Sequence, residues 1–335
     1  MMAQEYFGVV RKARRGLLLA LSAALLVGLA PTGQAQAKWP EKPVRIVLPF
    51  GAGGVADFTT RILADKLSTK FGQRVIVENK AGPGGINAAL TVLNAPADGY
   101  TMGLAAIITA LSVATFNKLP YDPLTQFEMV STIGVFDMDF AVKADSPYQT
   151  LGDFIKAANA QPGKFNIGTI AIGSAQNFGT ELFKSMAKVN AVIVPHHNSP
   201  DVVIALLRGD LQMVVDFAPA LQGQINSKQL RVLATSGATR SVATPDVPTA
   251  DEAGVKDYEV TSWNGLFAPK GTPKEVIDTM NQAMHEVLAM PEVKAQFEKV
   301  GVEPHASTPE ELMNRLKTDI KKWNKVVAET GMAKK

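Results

Sequence analysis

Ile46-Val47-Leu48-Pro49-Phe50-Gly51-Ala52-Gly53-Gly54-Val55-Ala56-Asp57-Phe58 passes from an apolar run, through a glycine-rich turn, into a helical pattern. Val44 to Leu48 reads as a buried strand. Phe58, Ile62, Leu63, Leu67 and Phe71 recur at helical spacing. Glycines at 51, 53 and 54 let the backbone approach a ligand and turn several N–H groups one way. The helix behind them adds unpaired N–H groups and the positive end of its dipole. Strand, glycine loop and helix together make an anion cradle that needs no basic side chain.

The same residues admit two other readings. Gly51-x-Gly53-x-x-Ala56 fits a dinucleotide fingerprint, and Glu78 ends the next apolar run where a ribose-binding acid would stand. The glycines could also serve only a tight turn.

The N-terminus reads as an export signal. Arg11, Lys12, Arg14 and Arg15 precede an apolar stretch over 17–30, and Ala35-Gln36-Ala37 offers a cleavage site. Cleavage after Ala37 leaves 30 of the 34 basic residues against 30 of the 31 acidic ones. The remainder is neutral and has no basic block for nucleic acid. No further apolar run is long enough to span a bilayer. With no cysteine and four histidines lacking metal-ligand spacing, disulfide, thiol and zinc chemistry are not expected.

Strands at 44–48, 75–77 and 101–106 alternate with helices at 55–71 and 84–94, the pattern of a parallel sheet. An extended run, 129–143, follows. A second series has strands at 165–169, 191–194, 211–216 and 231–235, with helices at 150–160, 175–188, 200–208 and 219–226. Another extended run, 258–268, leads to a helical last third. Thr272-Pro273-Lys274-Glu275 and Thr308-Pro309-Glu310-Glu311 both read as capped helix starts. Val276, Met280, Met284, Val287 and Leu288 line one face of the first of these helices. Leu312, Leu316, Ile320, Trp323 and Val327 line one face of the last, and both stripes read as core.

These elements predict an α/β, two-lobe binding-protein fold. Each lobe is a sheet flanked by helices, and two extended crossings near 138–141 and 262–265 join them. The expected division is a signal over 1–37, one lobe over 38–138 plus 264–335, and another over 139–263. Ligands of open α/β sheets sit at the carboxyl ends of the strands, so loops of both lobes should line one closing cleft. The first lobe would contribute Phe50, Gly51, Ala52, Gly53, Gly54, Ala56 and Asp57, with Ala106 and Ile107 from the loop after 101–106. The second would contribute Thr169, Gly173, Ser174, Ala175, Gln176 and Asn177, then His196, and Asp216 with Phe217. Asp57 could instead tie the glycine loop, and Ser174 could be a helix cap. Ser174 sits in no Gly-x-Ser-x-Gly elbow, and only chain order links it to His196 and Asp216 as a hydrolase triad.

Several strings together resemble the Bug family of periplasmic solute receptors, which serve tripartite tricarboxylate transporters. They are Trp39 to Phe50 with Gly53-Gly54 and Asp57, Val77 to Gly85, Asp98-Gly99-Tyr100-Thr101, Leu119 to Pro123, Arg240 to Thr249, and Ser262 to Pro269. The resemblance implies a type II periplasmic-binding fold, a monomer without catalytic residues, metal or cofactor, and a small carboxylate ligand. It implies membrane transporter components as partners and a periplasmic location. Family members hold one carboxylate with backbone amides and water between two loops, which match Pro49–Asp57 and Gly168–Asn177 here. That explains the glycines without NAD. This chain departs from the family at Gly51-Ala52, at Ile170-Ala171-Ile172 and at His196-His197-Asn198. The resemblance places these departures on the specificity-determining side of the cleft.

Overall fold

The computed structural model describes residues 39–172, 174–241, 244–330 and 334. The expected signal over 1–37 and the site residue Gly173 lie outside the described residues. Residues 42–330 belong to one compact unit.

The first strand set holds β1 (Val44–Leu48), β2 (Val75–Asn79) and β3 (Thr101–Ala106), parallel in the order β2-β1-β3. β1 is buried almost throughout, as a strand covered on both faces must be. Its crossovers are α1 (Val55–Phe71) and α2 (Ile86–Leu93), the latter preceded by a 3-10 turn at Pro83–Gly85. α1 buries Ala56, Thr59, Thr60, Leu63, Ala64 and Leu67. Phe58, expected on the inner stripe, is 43% exposed. The inner face is set by small residues that let α1 lie close to the sheet, and this rotates Phe58 outward.

β3 runs directly into α3 (Ile107–Thr115), where the sequence suggested a loop. After the single turn α4 (Pro123–Gln126), β4 (Phe127–Lys143) extends for 17 residues. Its amino-terminal part pairs with β9 (Thr261–Pro269), which in turn pairs with β3. Its carboxyl-terminal part pairs with β7 (Met213–Phe217) and β8 (Leu230–Thr235), all antiparallel. Register shifts at Met129/Ser131, Thr132/Gly134 and Phe140/Ala141 let one long strand bend and serve two strand sets.

The second set is completed by α5 (Leu151–Ala160), β5 (Asn166–Ile170), α6 (Ala175–Ala187), β6 (Val192–His196), α7 (Ser199–Arg208) and α8 (Ala218–Asn226). β5 is parallel to both β6 and β7. Met138, Phe140, Met213 and Val215 face the core that contains Phe178 and Phe183 of α6. Ala141 and Val214 face the opposite core, with Val202, Val203 and Leu206 of α7 and Leu221 of α8.

The chain ends with α9 (Lys274–Leu288), α10 (Pro291–Glu298), β10 (Glu303–Pro304) and α11 (Pro309–Thr330). Both expected stripes are buried. The two helix starts are not alike. At α11, Glu311 N–H donates to Thr308 Oγ1 (3.2 Å) and Thr308 N–H to Glu311 Oε2 (2.8 Å), a complete capping box. At α9, Pro273 holds the cap position, and the Thr272 hydroxyl donates instead to the Pro269 carbonyl (2.8 Å). The turn that closes β9 takes this hydroxyl away from the helix. α11 packs on α3 and α6, with Trp323 edge-on to Phe178 (5.8 Å).

Candidate ligand site at two sets of helix ends

β3 is antiparallel to β9, β9 to β4, and β4 to β7, so β3 and β7 run toward each other. Ala106, the last residue of β3, is level with Asn264 and through it with Gly134 of β4. Phe217, the last of β7, is level with Met138. Four residues of β4 separate these levels, about 13 Å of extended chain. The carboxyl ends of the two sets, and the helices that leave them, therefore face one gap.

On the first side, Gly51, Ala52, Gly53 and Gly54 are exposed, and Phe50 is half-buried. A Cβ at 51, 53 or 54 would meet nothing within 4 Å. Gly53 has φ +85°, which only glycine adopts cheaply. Its N–H donates to Asp57 Oδ2 (2.9 Å). Asp57 Oδ1 accepts from Arg61 Nε (3.0 Å) and Asn79 Nδ2 (3.0 Å), and that amide also donates to the Phe50 carbonyl (3.1 Å). The Arg61 hydrogen bond, opposed by burial and aided by Gly53 and Asn79, holds the Asp57 carboxyl down at about 2. Asp57 is thus the tie of the glycine loop, and Gly53 spends its N–H on that tie. α1 has Gly54 as N-cap with no side-chain cap, so its first-turn donors remain for a ligand. Beside it, α3 also starts without a side-chain cap. Ala106 N–H donates to Thr109 Oγ1 (3.2 Å), and Ala106 and Ile107 are buried. Ile108 stands half-exposed there instead.

On the second side, Ser174 caps α6 by accepting from Asn177 N–H (3.1 Å). Among the described residues its hydroxyl proton has one long contact, 3.5 Å to the Ile170 carbonyl. Thr169 is buried and donates to the Ile170 carbonyl (3.0 Å). Ala175, Gln176 and Asn177 are also buried. Gln176 Nε2 donates to Asp216 Oδ1 (2.8 Å), which accepts Phe217 N–H as well (2.8 Å). His196 is half-buried, with Nδ1–H directed at the Val194 carbonyl (3.1 Å), which leaves Nε2 available. Ala171 and Ile172 stand exposed, Ile172 at 69%.

The structure thus divides the expected site residues. Gly51, Ala52, Gly54, Ser174, His196 and Phe217 offer accessible atoms. Asp57, Gln176 and Asp216 are engaged in holding the loops, while Thr169, Ala106 and Ile107 are turned into the protein. Sequence reasoning passed over Arg61 and Asn79, and placed Thr109 in a loop after the 101–106 strand where it instead lies in the first turn of α3. Asn79, at the end of a strand beside the glycine loop, gave the one usable signal.

The rival readings lack support. Glu78 is paired with Arg45 (3.1 Å) and Lys80 (3.4 Å), and Ser174 serves as a helix cap. Among the described residues, no group of three or more His, Asp or Glu is placed to hold a metal ion, and no helix is long and apolar enough to cross a membrane.

The family profile described as tripartite tricarboxylate transporter family receptor matches residues 59–332. The chain belongs to that family. Protein BugT of Bordetella pertussis is 31% identical over 295 residues, covering 88% of this chain and 90% of the relative. Rpa4515 of R. palustris, solved with adipate, is 31% identical with a TM-score of 0.78 over 89% of this chain and 100% of its own. MatC from Rhodopseudomonas palustris, solved with malate, is 27% identical with a TM-score of 0.73 over 86% and 100%. This tricarboxylate-transporter receptor has the α/β periplasmic-binding fold expected from its sequence, and its family is one of solute-binding receptors.

Proposed function

We propose that this receptor captures a small carboxylate, a dicarboxylate or an aromatic acid, between its two sets of helix ends and delivers it to the membrane components of a tripartite transporter. The observation that carries the reading is the pair of strand ends that face each other along β4, each leading to helix N-termini with open donors. A desolvated carboxylate needs several hydrogen bonds to replace lost water, and N–H groups fixed at helix ends supply them without a mobile charge. The Ser174 hydroxyl adds one donor, and His196 faces the variable end of the ligand. The adipate and malate held by Rpa4515 and MatC support the ligand class.

In this reading the lobes are 38–138 plus 264–335 and 139–263, and β4 and β9 act as the hinge. The chain works as a non-catalytic monomer in the periplasm, exported by the signal over 1–37. A thermal-shift screen of mono-, di- and aromatic carboxylates beside NAD tests the ligand class. Saturable stabilisation by a carboxylate is expected, and a response to NAD alone would overturn the reading. Small-angle scattering should then show compaction at saturation.

A further inference from the structure

Asp139 of β4 lies opposite Asp216 of β7 and, on its other side, opposite Thr235 of β8. Side chains at paired positions share a face and have Cβ atoms about 5 Å apart. All three residues are almost wholly buried: Asp139 is 1% exposed, and Asp216 and Thr235 are 0%. Among the described residues, both Asp139 oxygens, Asp216 Oδ2 and Thr235 Oγ1 have no hydrogen-bond partner. Four orphan oxygens in one buried row are untenable if both carboxyls are ionised. A proton on one Asp139 oxygen, donated across the pair to Asp216 Oδ2, would partner two of the four and remove the like charge. The Thr235 hydroxyl makes no bond to Asp139 as it stands and would have to turn to reach the other Asp139 oxygen.

Asp216 is also the residue that ties the second side of the candidate site. Its Oδ1 accepts from Gln176 in the first turn of α6 and from Phe217 N–H at the cap of α8. Burial pushes the Asp216 carboxyl up, and the Ser199 hydroxyl at the start of α7, Gln176 and Phe217 N–H oppose that rise by bonding its charged form. We infer that Asp139 carries a structural proton donated to Asp216, and that this proton positions the amino-terminal turns of α6, α7 and α8. Asp139 is a positioning residue here and touches no ligand. The inference rests on the receptor reading only in treating these turns as part of the ligand site.

The surroundings fit a neutral acid. Burial first, then the charges of Asp137 and Asp216, push the Asp139 carboxyl up to about 8. Asp137, two residues earlier on the same face of β4, is itself pushed up to about 6, chiefly by burial. Glu259, Glu303 and Arg315 act on Asp137. β8 carries Arg231, whose guanidinium is committed to the carbonyls of Ser146 (3.2 Å) and Tyr148 (3.1 Å). β6 carries His196, α6 carries Glu181 and Lys184, α7 carries Asp201 and Arg208, and α8 has no charged residue. No cation among them is paired with Asp139.

The test needs no ligand. Infrared spectra of the ligand-free protein with 13C-labelled aspartate should show, at pH 7, the carbonyl stretch of a neutral carboxylic acid. That band should disappear with a midpoint near pH 8 and be absent in Asp139→Asn. Hydrogen exchange in the first turns of α6 and α7, corrected for intrinsic pH dependence, should speed up severalfold between pH 7 and 9 in the wild type. It should stay flat in Asp139→Asn, whose amide can donate to Asp216 at any pH, and be fast throughout in Asp139→Ala. The sign for stability follows: the unfolded chain ionises near pH 4 and the folded chain later, so Tm should fall between about pH 4 and 8 more steeply than in Asp139→Asn. Absence of the band at pH 7 overturns the inference, as does identical exchange in wild type and Asp139→Asn. The labelled wild-type titration decides the matter even if a variant fails to fold. A failed carboxylate screen would leave these readouts unchanged, so the two readings can fail separately.

Discussion

Replacing Asp57 by Ala removes the acceptor that holds the glycine loop, and two opposed effects must be weighed. The carboxylate accepts Gly53 N–H (2.9 Å), Arg61 Nε (3.0 Å) and Asn79 Nδ2 (3.0 Å). Arg61 is 50% exposed, so its share is discounted toward the 0–1 kcal/mol of a surface pair, and Gly53 N–H can turn to water. We expect a stability loss of about 1–2 kcal/mol. Binding suffers for a different reason. Untied, the loop samples other conformers, because a glycine at φ +85° is not confined there. If the competent conformer falls to about a tenth of the population, affinity falls about tenfold, or ~1.4 kcal/mol. The opposing effect is relief of repulsion between Asp57 and a bound anion. At about 7 Å in a wet site that repulsion is below ~1 kcal/mol. Arg61, 2.8 Å from Asp57, cancels most of it, so positioning wins. Titration calorimetry with the best carboxylate of the screen, beside urea unfolding, measures both quantities. Binding by Asp57→Ala as tight as wild type, or tighter, refutes the argument. The pH dependence has a definite sign. With the carboxyl held at about 2, the tie is complete above about pH 4 and is lost as pH falls toward 2.

Gly53→Val should weaken every ligand. No atom blocks the new side chain, so the effect comes from a β-branched residue forced to φ +85°, and circular dichroism should show the fold intact. Ser174→Ala removes the α6 cap and should lower stability by about 0.5–2 kcal/mol. In calorimetry it should weaken a carboxylate by about 1–3 kcal/mol, since the lost hydroxyl bond is to a charged group. Thr308→Ala breaks the α11 capping box and should cost about 1 kcal/mol in urea unfolding without changing affinity.

The regular parts of the fold were legible because local physics decides them. β1, β3 and α1 stand where the apolar run, the glycine turn and the helical spacing put them. α3 was missed because Ile107–Thr115 is apolar around most of its circumference and shows no one-sided period. At α9 the sequence has the residues of a capping box, but a tertiary turn claims Thr272. The candidate site was legible as loops rather than as atoms. Strand-end loops could be counted along the chain, but nothing local says that Thr169 turns inward while Ile172 stands out.

The buried acids show most clearly where sequence reasoning stops. Asp137 and Asp139 alternate with Phe136, Met138 and Phe140, and such alternation ordinarily marks one wet face of a strand. Here α7 and α8 cover that face, and register, not composition, sets Asp139 against Asp216 and Thr235. Register depends on pairing between distant segments and on the shift at Phe140/Ala141, neither of which leaves a local signature. A substitution series in this row therefore probes long-range pairing directly. An acid that burial keeps neutral can be replaced by its amide with little loss, whereas an acid in an ion pair cannot. Asp139 and Asp57, one on each side of the gap, should differ in just this way, and Asp139→Asn beside Asp57→Asn is the comparison that separates them.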